Sequence, residues 1–412
     1  MANGESALAA PFEFKGLDKM FRSLAMKLLD HLQHGCLTLT EQGRLVGQFG
    51  DKSSELRADI DVKKPNFYRG LLVGGSIGAA ELYIDKVWET NDLTAVIQIF
   101  ARNLPALDKL ESRVAWLTFP INKYNHWANR NHKQQAKRNI SAHYDLGNEL
   151  YSRFLDPHMQ YSSALFHSAT ESLEQAQVNK MDRLCQQLDL KPTDHLLEIG
   201  TGWGGLAVYA AKHYGCHVTT TTISEEQYRY AEQRIKTEGL EDRITLLKED
   251  YRDLTGQYDK LVSVEMIEAV GKQYLPTFFK TCNDRLKPGG VMALQAITIA
   301  DQRYSSYARS VDFIQKHIFP GGFLPSVHSM TELYKSKTQM VVRNIHDMGK
   351  SYAETLKRWQ QAFNAKREEL EPLGYDERFS RLWNYYFSYC QGGFLEESVS
   401  VVQLTATKAR YE

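Results

Sequence analysis

A glycine-rich segment near the middle of the chain stands between an apolar stretch and a helical pattern. It reads Glu-Ile-Gly-Thr-Gly-Trp-Gly-Gly over residues 198–205, after Leu196 and Leu197 and before the apolar residues 206–211. Glycine tolerates positive φ and lets backbone N–H groups come close to a ligand. The order strand, glycine turn, helix is the one with which α/β folds hold nucleotide-like ligands. Because Gly-x-Gly-x-x-Gly alone is weakly specific, its context decides what it binds.

The surrounding segments argue against a dinucleotide site. Such a site places an acidic residue at the end of the next strand, about 20 residues on, whereas the strand predicted over 217–223 carries four consecutive threonines there. The carboxylate comes before the glycines instead, at Glu198, and residues 224–227 have the pattern of a helix capping box. This layout predicts an S-adenosylmethionine-dependent methyltransferase. A dinucleotide enzyme and a purely structural turn are the alternatives.

The alternation of elements predicts the fold class of the larger part of the chain. With 412 residues, two domains are expected. From residue 140 on, strands and helices alternate, which predicts a parallel, doubly wound sheet. The predicted strands are 196–199, 217–223, 244–247, 261–264, 291–297, 341–345 and 399–407. The predicted fold is α/β, a Rossmann-like class I methyltransferase sheet over residues 140–412, with helical and aromatic insertions such as the turn-rich segment 301–326, a lid or substrate wall.

Residues 1–110 form a small α+β domain in this interpretation, without chemistry of its own. Helical periodicity covers 17–32, and alternating strands are predicted at 37–39 and 57–62, with the glycines between them as turn material. The expected role of such a domain is either to present lipid or to form a homodimer, and the sequence does not distinguish between these roles.

Residues 111–139 are predicted to be a basic, aromatic linker. No acidic residue lies between Glu111 and Asp145, and lysines and arginines are interleaved with tryptophan, tyrosine and phenylalanine. This composition suits an anionic lipid surface, or a solvated linker that touches nothing. The whole protein has 50 basic and 50 acidic residues, so we expect no nucleic-acid partner.

Cysteine spacing and hydropathy give the expected location. The five cysteines are scattered without a Cys-x-x-Cys pair, which favours reduced thiols over disulfides or a zinc site. The N-terminus lacks the pattern of a signal peptide, and no uncharged run approaches the roughly 20 residues that span a bilayer. We expect a cytoplasmic protein associated peripherally with the inner face of the membrane.

Motifs of the second predicted domain recur together in one known enzyme family. They are Tyr161-Ser-Ser-Ala164, the glycine segment 198–205, Thr222-Ile-Ser-x-x-Gln227, Asp250-Tyr-Arg-Asp253, the segment 262–271 and the segment 318–326. With these motifs the protein resembles the cyclopropane fatty acid synthases and mycolic acid methyltransferases over about residues 135–412. Residues 67–89 also resemble the N-terminal domain of the bacterial phospholipid-modifying branch. The resemblance implies methyl transfer from S-adenosylmethionine to the double bond of an unsaturated acyl chain in a membrane phospholipid.

The resemblance also implies a set of cofactor contacts. They are Tyr161, Ser162, Gly200, Gly202, Thr222, Ile223, Gln227, Asp250 and Tyr251. Backbone and hydroxyl groups take the methionine end, and Gln227 bonds the ribose hydroxyls. Asp250 and Tyr251 take the exocyclic amine and the ring of adenine, although Asp250 is also explained as an ordinary turn residue.

For ring closure the resemblance implies a bound bicarbonate that removes a proton from the new methyl group. Its holders correspond to Glu268, Tyr352, Ser163 and Gln295, the last two standing where the family commonly has cysteine and histidine. Loss of the histidine argues against bicarbonate, which leaves Glu268 itself, or an anion held differently, as the base. Glu265 stands where the family often has glycine. Its carboxylate repels an anion, serves as base, or is only an exposed acid at a strand end.

Three hypotheses about the activity follow. The first is a cyclopropane synthase, and the second is a C-methyltransferase of acyl groups whose product is a methyl-branched alkene without a ring. The third is a lipid-binding protein with a degenerate site. Because aromatic faces stabilise cations, Tyr161, Tyr307, Phe313 and Tyr386 have a functional interpretation beside packing.

Overall fold

The computed structural model describes residues 12–104 and 147–410, so the predicted linker of residues 111–139 lies outside the described residues. Its α-helices are α1 (Leu17–Leu29), α2 (Phe67–Ile84), α3 (Leu93–Arg102), α4 (Asn148–Tyr151), α5 (Leu173–Gln187), α6 (Gly205–Tyr214), α7 (Glu225–Thr237), α8 (Leu275–Arg285), α9 (Asp301–Tyr307), α10 (Phe313–His317), α11 (Val327–Lys337), α12 (Gly349–Ala365), α13 (Arg367–Leu370) and α14 (Glu377–Leu395).

The strands build two separate sheets. They are β1 (Cys36–Glu41), β2 (Arg44–Gly50), β3 (Arg57–Val62), β4 (Trp88–Glu89), β5 (His195–Ile199), β6 (His217–Thr221), β7 (Ile244–Leu247), β8 (Tyr258–Val264), β9 (Leu286–Ile299), β10 (Met340–Asp347) and β11 (Val399–Lys408). The described residues divide into two compact units. The first contains 12–104 and 367–396, and the second contains 147–366 and 397–410.

The first unit is built on a four-stranded sheet of order β2-β1-β3-β4. The prediction that Gly47 and Gly50 are turn residues is wrong, because both lie in the edge strand β2, which is antiparallel to β1. Glycine at this edge allows a close approach of two backbones. A Cβ atom at Gly50 would lie 2.2 Å from the carbonyl oxygen of Gly35. The glycines therefore permit strand pairing here instead of ending it.

Helix α14 belongs to the first unit, although it follows the second unit in the sequence. It packs on α2 and α3, and a Cβ atom at Gly392 would lie only 2.6 Å from Ile97 Cγ2. Arg381 also pairs with Glu89 at 3.2 Å. This grouping differs from the single domain predicted over residues 140–412, because α14 packs on two helices of the first unit.

The second unit contains a seven-stranded sheet of order β10-β11-β9-β8-β5-β6-β7. Strands β5 to β9 pair in parallel, whereas β11 is antiparallel to both β9 and β10. The predicted doubly wound sheet is therefore confirmed. Because parallel strands end at the same edge, the residues that follow β5, β6, β7 and β8 meet there, on both sides of the point where strand order reverses.

Each face of this sheet carries its own core. Leu196 and Leu197 are adjacent in β5, yet Leu196 packs with α5 and α6 while Leu197 packs with α8 and α11. This division follows from the alternation of side chains along a strand. Both cores fix the position of β5, and with it the position of the glycine turn that follows.

Two further expectations concern cysteines and membrane spans. All five cysteines are free, and four of them are buried, as expected for small residues of a core. Within the described ranges, no helix combines the length and the hydropathy that crossing a bilayer requires.

Candidate active site

The glycine turn that follows strand β5 has an unusual backbone conformation. Gly200 has φ 104° and Gly202 has φ 53°, and the N–H of Gly200 donates to the carbonyl oxygen of Thr221 (3.1 Å). A Cβ atom at Gly200 would lie 3.2 Å from Met266, whereas beside Gly202 a Cβ atom would meet no atom within 4 Å. The turn is therefore closed against β8 at Gly200 and opens onto free space at Gly202.

The threonines at the end of β6 hold this turn through their hydroxyl groups. Thr220 donates to the buried Glu198 carboxylate at 2.6 Å and lies 2.7 Å from the hydroxyl of Thr201. Burial raises the pKa of Glu198 to about 8, although the bond from Thr220 and the charge of Lys180 oppose this shift. The Glu198 side chain thus connects β5 to β6 just before the glycine turn in the sequence.

The next contacts come from the start of α7. The Ser224 hydroxyl accepts from the N–H of Gln227 (3.3 Å), which is one half of the predicted capping box. The Gln227 side chain does not complete it, because its Oε1 accepts from the Thr222 hydroxyl at 2.9 Å. This bond holds the Gln227 side chain beside Thr222, just after the end of β6. Ile223, another predicted cofactor contact, is half-buried.

Asp250 and Tyr251 follow β7 at the same edge. The Asp250 carboxylate accepts from the backbone N–H of Arg252 (3.0 Å) and from its guanidinium (2.6 and 2.7 Å), so it caps a short 3₁₀ turn. Tyr251 packs edge-on against Phe278, and its buried Oη has no hydrogen-bond partner among the described residues. Tyr251 thus brings an unsatisfied hydroxyl to the edge that holds the glycine turn.

Lys180 is a site residue that the sequence analysis missed. It lies on α5, is completely buried, and donates to Gln160 Oε1 (2.7 Å) and to the hydroxyl of the predicted contact Ser162 (2.8 Å). Burial lowers its pKa to about 8, while nearby carboxylates, led by Glu265, oppose the shift. The sequence did contain a signal, since Lys180 lies four residues from both Ala176 and Leu184 on the buried face of the helix.

Three of the four predicted catalytic residues meet at one carboxylate, Glu265. Its Oε1 accepts from the backbone N–H of Ser163 (2.9 Å) and from Gln295 Nε2 (2.8 Å), and its Oε2 accepts from the Tyr352 hydroxyl (2.8 Å). The interpretation of Glu265 as an exposed acid is wrong, because its side chain is enclosed by these groups. Burial raises the pKa of Glu265, and the bonds from Gln295, Ser163 and Tyr352 and the charge of Lys180 act against this rise.

The fourth predicted catalytic residue, Glu268, follows three residues later in a short 3₁₀ turn. Its Oε1 accepts from the backbone N–H of Ile297, and its buried Oε2 has no hydrogen-bond partner in the part of the protein that the structure describes. Burial, followed by the negative charge of Glu265, raises the pKa of Glu268 to about 8. At neutral pH Glu268 therefore carries its proton.

Aromatic rings line the same region. The Tyr161 ring lies 5.2 Å from Trp359 and 6.4 Å from Phe319, and Tyr352 lies 6.1 Å from Trp359. The segment predicted to be a substrate wall reaches the acidic pair, since the N–H of Phe323 donates to the carbonyl oxygen of Glu268 (2.8 Å). Tyr352 connects these rings to the acidic residues, because it also donates to Glu265.

The other aromatic candidates have different surroundings. Tyr307 accepts from the N–H of Leu324 (3.2 Å), and Phe313 is fully buried in α10, so both belong to the wall segment. Tyr386 belongs to the first unit, where it packs with Trp383 and Phe387.

The residues present fit S-adenosylmethionine. Gly202 borders open space after β5, and Tyr251 carries an unsatisfied buried hydroxyl after β7, two strands along the same edge. The Gly200 and Gly202 backbone and Gln227 would hold the cofactor, with Tyr251 against the adenine. When bound, it supplies an electrophilic methyl group on a positively charged sulfur.

The residues present do not fit a bound bicarbonate. The groups that the resemblance assigns to it on Ser163, Gln295 and Tyr352 all donate to Glu265. A second anion at this place would lie against the Glu265 carboxylate, in surroundings with little water to screen the repulsion.

The sheet order, the glycine turn and the polar residues at the ends of β6 and β7 define an S-adenosylmethionine-dependent methyltransferase. The family model of mycolic acid cyclopropane synthetase matches residues 131–404. The chain belongs to this family.

Relatives with two kinds of product match most of the sequence. A tuberculostearic acid methyltransferase of Mycobacterium tuberculosis is 39% identical over 341 residues, covering 80% of this chain and 78% of that protein. A cyclopropane-fatty-acyl-phospholipid synthase of Escherichia coli is 38% identical over 357 residues, covering 85% of this chain and 88% of that protein. Among solved structures, the mycolic acid cyclopropane synthase CmaA1 complexed with SAH and CTAB superimposes with a TM-score of 0.63 and 28% identity, over 68% of this chain and 99% of its own.

A substitution at Gly200 tests the cofactor site. We expect Gly200→Ala to weaken binding of S-adenosylhomocysteine roughly tenfold or more, because an alanine at this φ is strained by about 1–3 kcal/mol and its Cβ presses on Met266. Isothermal titration calorimetry measures the effect. Gly239→Ala is the matched control, since Gly239 also has a positive φ but no neighbour within 4 Å. Equal affinities of both variants and the wild type would contradict the assignment.

The buried proton of Glu268 predicts a dependence of stability on pH. Between the ordinary carboxyl pKa of 4.5 and about 8, the folded protein keeps this proton and the unfolded polypeptide releases it. The free energy of unfolding therefore falls as pH rises through this window, by up to about 1.4 kcal/mol per pH unit for this group. Because glutamine does not titrate, Glu268→Gln lacks this contribution and has a shallower slope.

Chemical denaturation at several pH values between about 5 and 8 measures both slopes. Glu241→Gln is the control for the loss of a carboxylate, because Glu241 is exposed in the same unit. A Glu268→Gln slope equal to that of the wild type rules out the buried proton.

Proposed function

We propose that this methyltransferase transfers the methyl group of S-adenosylmethionine to the double bond of an unsaturated acyl chain in a membrane phospholipid, with a cyclopropane ring as the product. The observation that carries the proposal is the buried pair Glu265 and Glu268, which Tyr352 connects to the ring of Trp359. Membership in a family that methylates lipid acyl groups supports it, as does the named activity of the Escherichia coli relative.

An alkene is a weak nucleophile, which explains why the reaction needs aromatic rings, acidic groups and protection from water. An alkene attacks a methyl group only when the π bond and the sulfonium carbon are held in line, so positioning supplies most of the acceleration. The attack leaves a positive charge on the lipid tail, which water would capture. Aromatic faces such as Tyr161 stabilise this charge, and the apolar wall from Ile318 to Phe323 keeps water away from it. A base must then remove a proton.

The proton that is lost decides the product. Loss from the transferred methyl group closes the ring, whereas loss from a neighbouring carbon of the lipid tail gives a methyl-branched alkene. Two observations favour the second product as the alternative. The donors that the resemblance assigns to bicarbonate are engaged by Glu265, and the Mycobacterium relative is named for tuberculostearic acid rather than for a cyclopropane.

The proposal predicts a change in the proton NMR spectrum of the lipid. We expect the full-length enzyme, incubated with S-adenosylmethionine and vesicles of a monounsaturated phospholipid, to remove the olefinic signals and produce the strongly upfield protons of a cyclopropane. A methyl-branched alkene would keep an olefinic proton and lack the upfield pair. Mass alone does not separate the two, because both products gain one CH₂. Vesicles of a saturated phospholipid are the control, and absence of methyl transfer to the unsaturated vesicles contradicts the proposal.

Helix α1 supports the proposed association with a membrane surface. Leu17, Met20 and Leu24 are 63%, 54% and 40% exposed, and Met20 and Leu24 share an outward face with Lys19 and Lys27. A helix with apolar side chains flanked by lysines lies stably at an anionic lipid surface, because its apolar groups enter the interface while its cations meet the headgroups.

Replacing one apolar residue of this face tests the association. We expect Met20→Glu to lower the partition onto anionic phospholipid vesicles by about tenfold, because an apolar contact is lost and a negative charge meets the anionic surface. Cosedimentation with vesicles measures the bound fraction. Leu45→Glu is the matched control, since Leu45 is 68% exposed on β2 of the same unit. Equal losses in both variants would show that α1 is not the contact.

A further inference from the structure

The carboxylate of Glu265 is held in place by a strained backbone. Strand β8 ends at Val264, and Glu265 follows with φ 49°, in the left-handed region that costs a residue with a side chain about 1 kcal/mol or more. Its N–H donates to the carbonyl oxygen of Gln295 at 2.8 Å. The strain turns the side chain toward Ser163 and Tyr352.

The neighbours of Glu265 are arranged for a negative charge. Ser163 and Tyr352 offer it an N–H and an O–H, and Gln295 offers its amide nitrogen, because the amide oxygen of Gln295 accepts from Gln403 Nε2 at 3.0 Å. Three hydrogen bonds to the charged form, with the cation of Lys180 nearby, favour the carboxylate.

One oxygen of this carboxylate retains capacity to accept. Oε1 accepts from two donors, whereas Oε2 accepts from the Tyr352 hydroxyl alone among the described residues. A carboxylate oxygen has two acceptor positions. Its one described donor, Tyr352, also packs against the ring of Trp359.

The two acidic residues have different protonation states. Glu268 has an unpartnered oxygen and lacks the donors that surround Glu265, so the surroundings of Glu268 favour its protonated form. Two close titratable groups with different surroundings are a common arrangement for acid and base roles in one site.

We infer that the Glu265 carboxylate is the base of this enzyme and takes the place that the resemblance gives to a bound bicarbonate. The inference rests on the proposed function. The alkene π pair forms the new C–C bond as the S–CH₃ bond breaks, which releases S-adenosylhomocysteine and leaves a cation on the lipid tail. A C–H bond then breaks, either in the transferred methyl group or on a carbon next to the cation. Its electron pair forms the third bond of the ring, or a new C=C bond, and its proton goes to Glu265 Oε2.

Two substitutions at Glu265 separate the chemical role from a structural one. We expect Glu265→Gln to keep S-adenosylhomocysteine affinity within about twofold and to lose methylated product at least about 100-fold, the usual contribution of a general base. Glu265→Gly suits the positive φ and leaves the three donors facing a cavity the size of a small anion. We expect added bicarbonate or formate to restore its activity at least about tenfold over the anion-free variant.

The wild type and a control variant complete the experiment. We expect wild-type activity to be the same in CO₂-depleted buffer as with added bicarbonate, and Glu241→Gln to match the wild type. The inference is overturned if wild-type activity requires bicarbonate, if Glu265→Gln stays within about threefold of the wild type, or if no anion rescues Glu265→Gly while that variant still binds S-adenosylhomocysteine. A wild type that binds S-adenosylhomocysteine but leaves the double bond unmethylated overturns the proposed function itself, and the inference with it.

Discussion

A carboxylate can be buried in a charged state only when donors replace the water it loses, and this requirement organises the second unit. Unsatisfied buried charge costs several kcal/mol, so distant segments of the protein supply partners. Glu265 receives an N–H, an amide and a hydroxyl from Ser163, Gln295 and Tyr352. Lys180 adds the balancing positive charge from α5. These bonds tie four separate parts of the sequence to one edge of the sheet.

The sheet and the cofactor turn were readable from the sequence because their signals are local. Strand periodicity and the glycines over 198–205 predicted β5, α6 and the turn between them, and the structure places those elements at nearly the same bounds. The first unit was harder. The sequence shows the glycines of residues 44–50 but not the backbone of Gly35, which lies close to Gly50 in the fold. The glycines therefore suggest a turn, although they lie in a strand.

The site was predictable as a set of residues but not as an arrangement. Motif matching named Ser163, Gln295 and Tyr352, yet no local pattern shows that all three donate to Glu265, since these segments meet only through the fold. Lys180 was overlooked for a related reason, because a lysine in an amphipathic helix is usually exposed. Its burial depends on acceptors from residues 160 and 162.

The membership of α14 in the first unit has a consequence for biosynthesis. Translation proceeds from the N-terminus, and domains generally fold as units while the polypeptide emerges. Here the helix that packs on α2 and α3 is encoded after almost all of the second unit, so the first unit cannot complete its packing until nearly the entire polypeptide has left the ribosome. We expect the need for a chaperone to be greatest between the synthesis of the first hundred residues and the synthesis of α14.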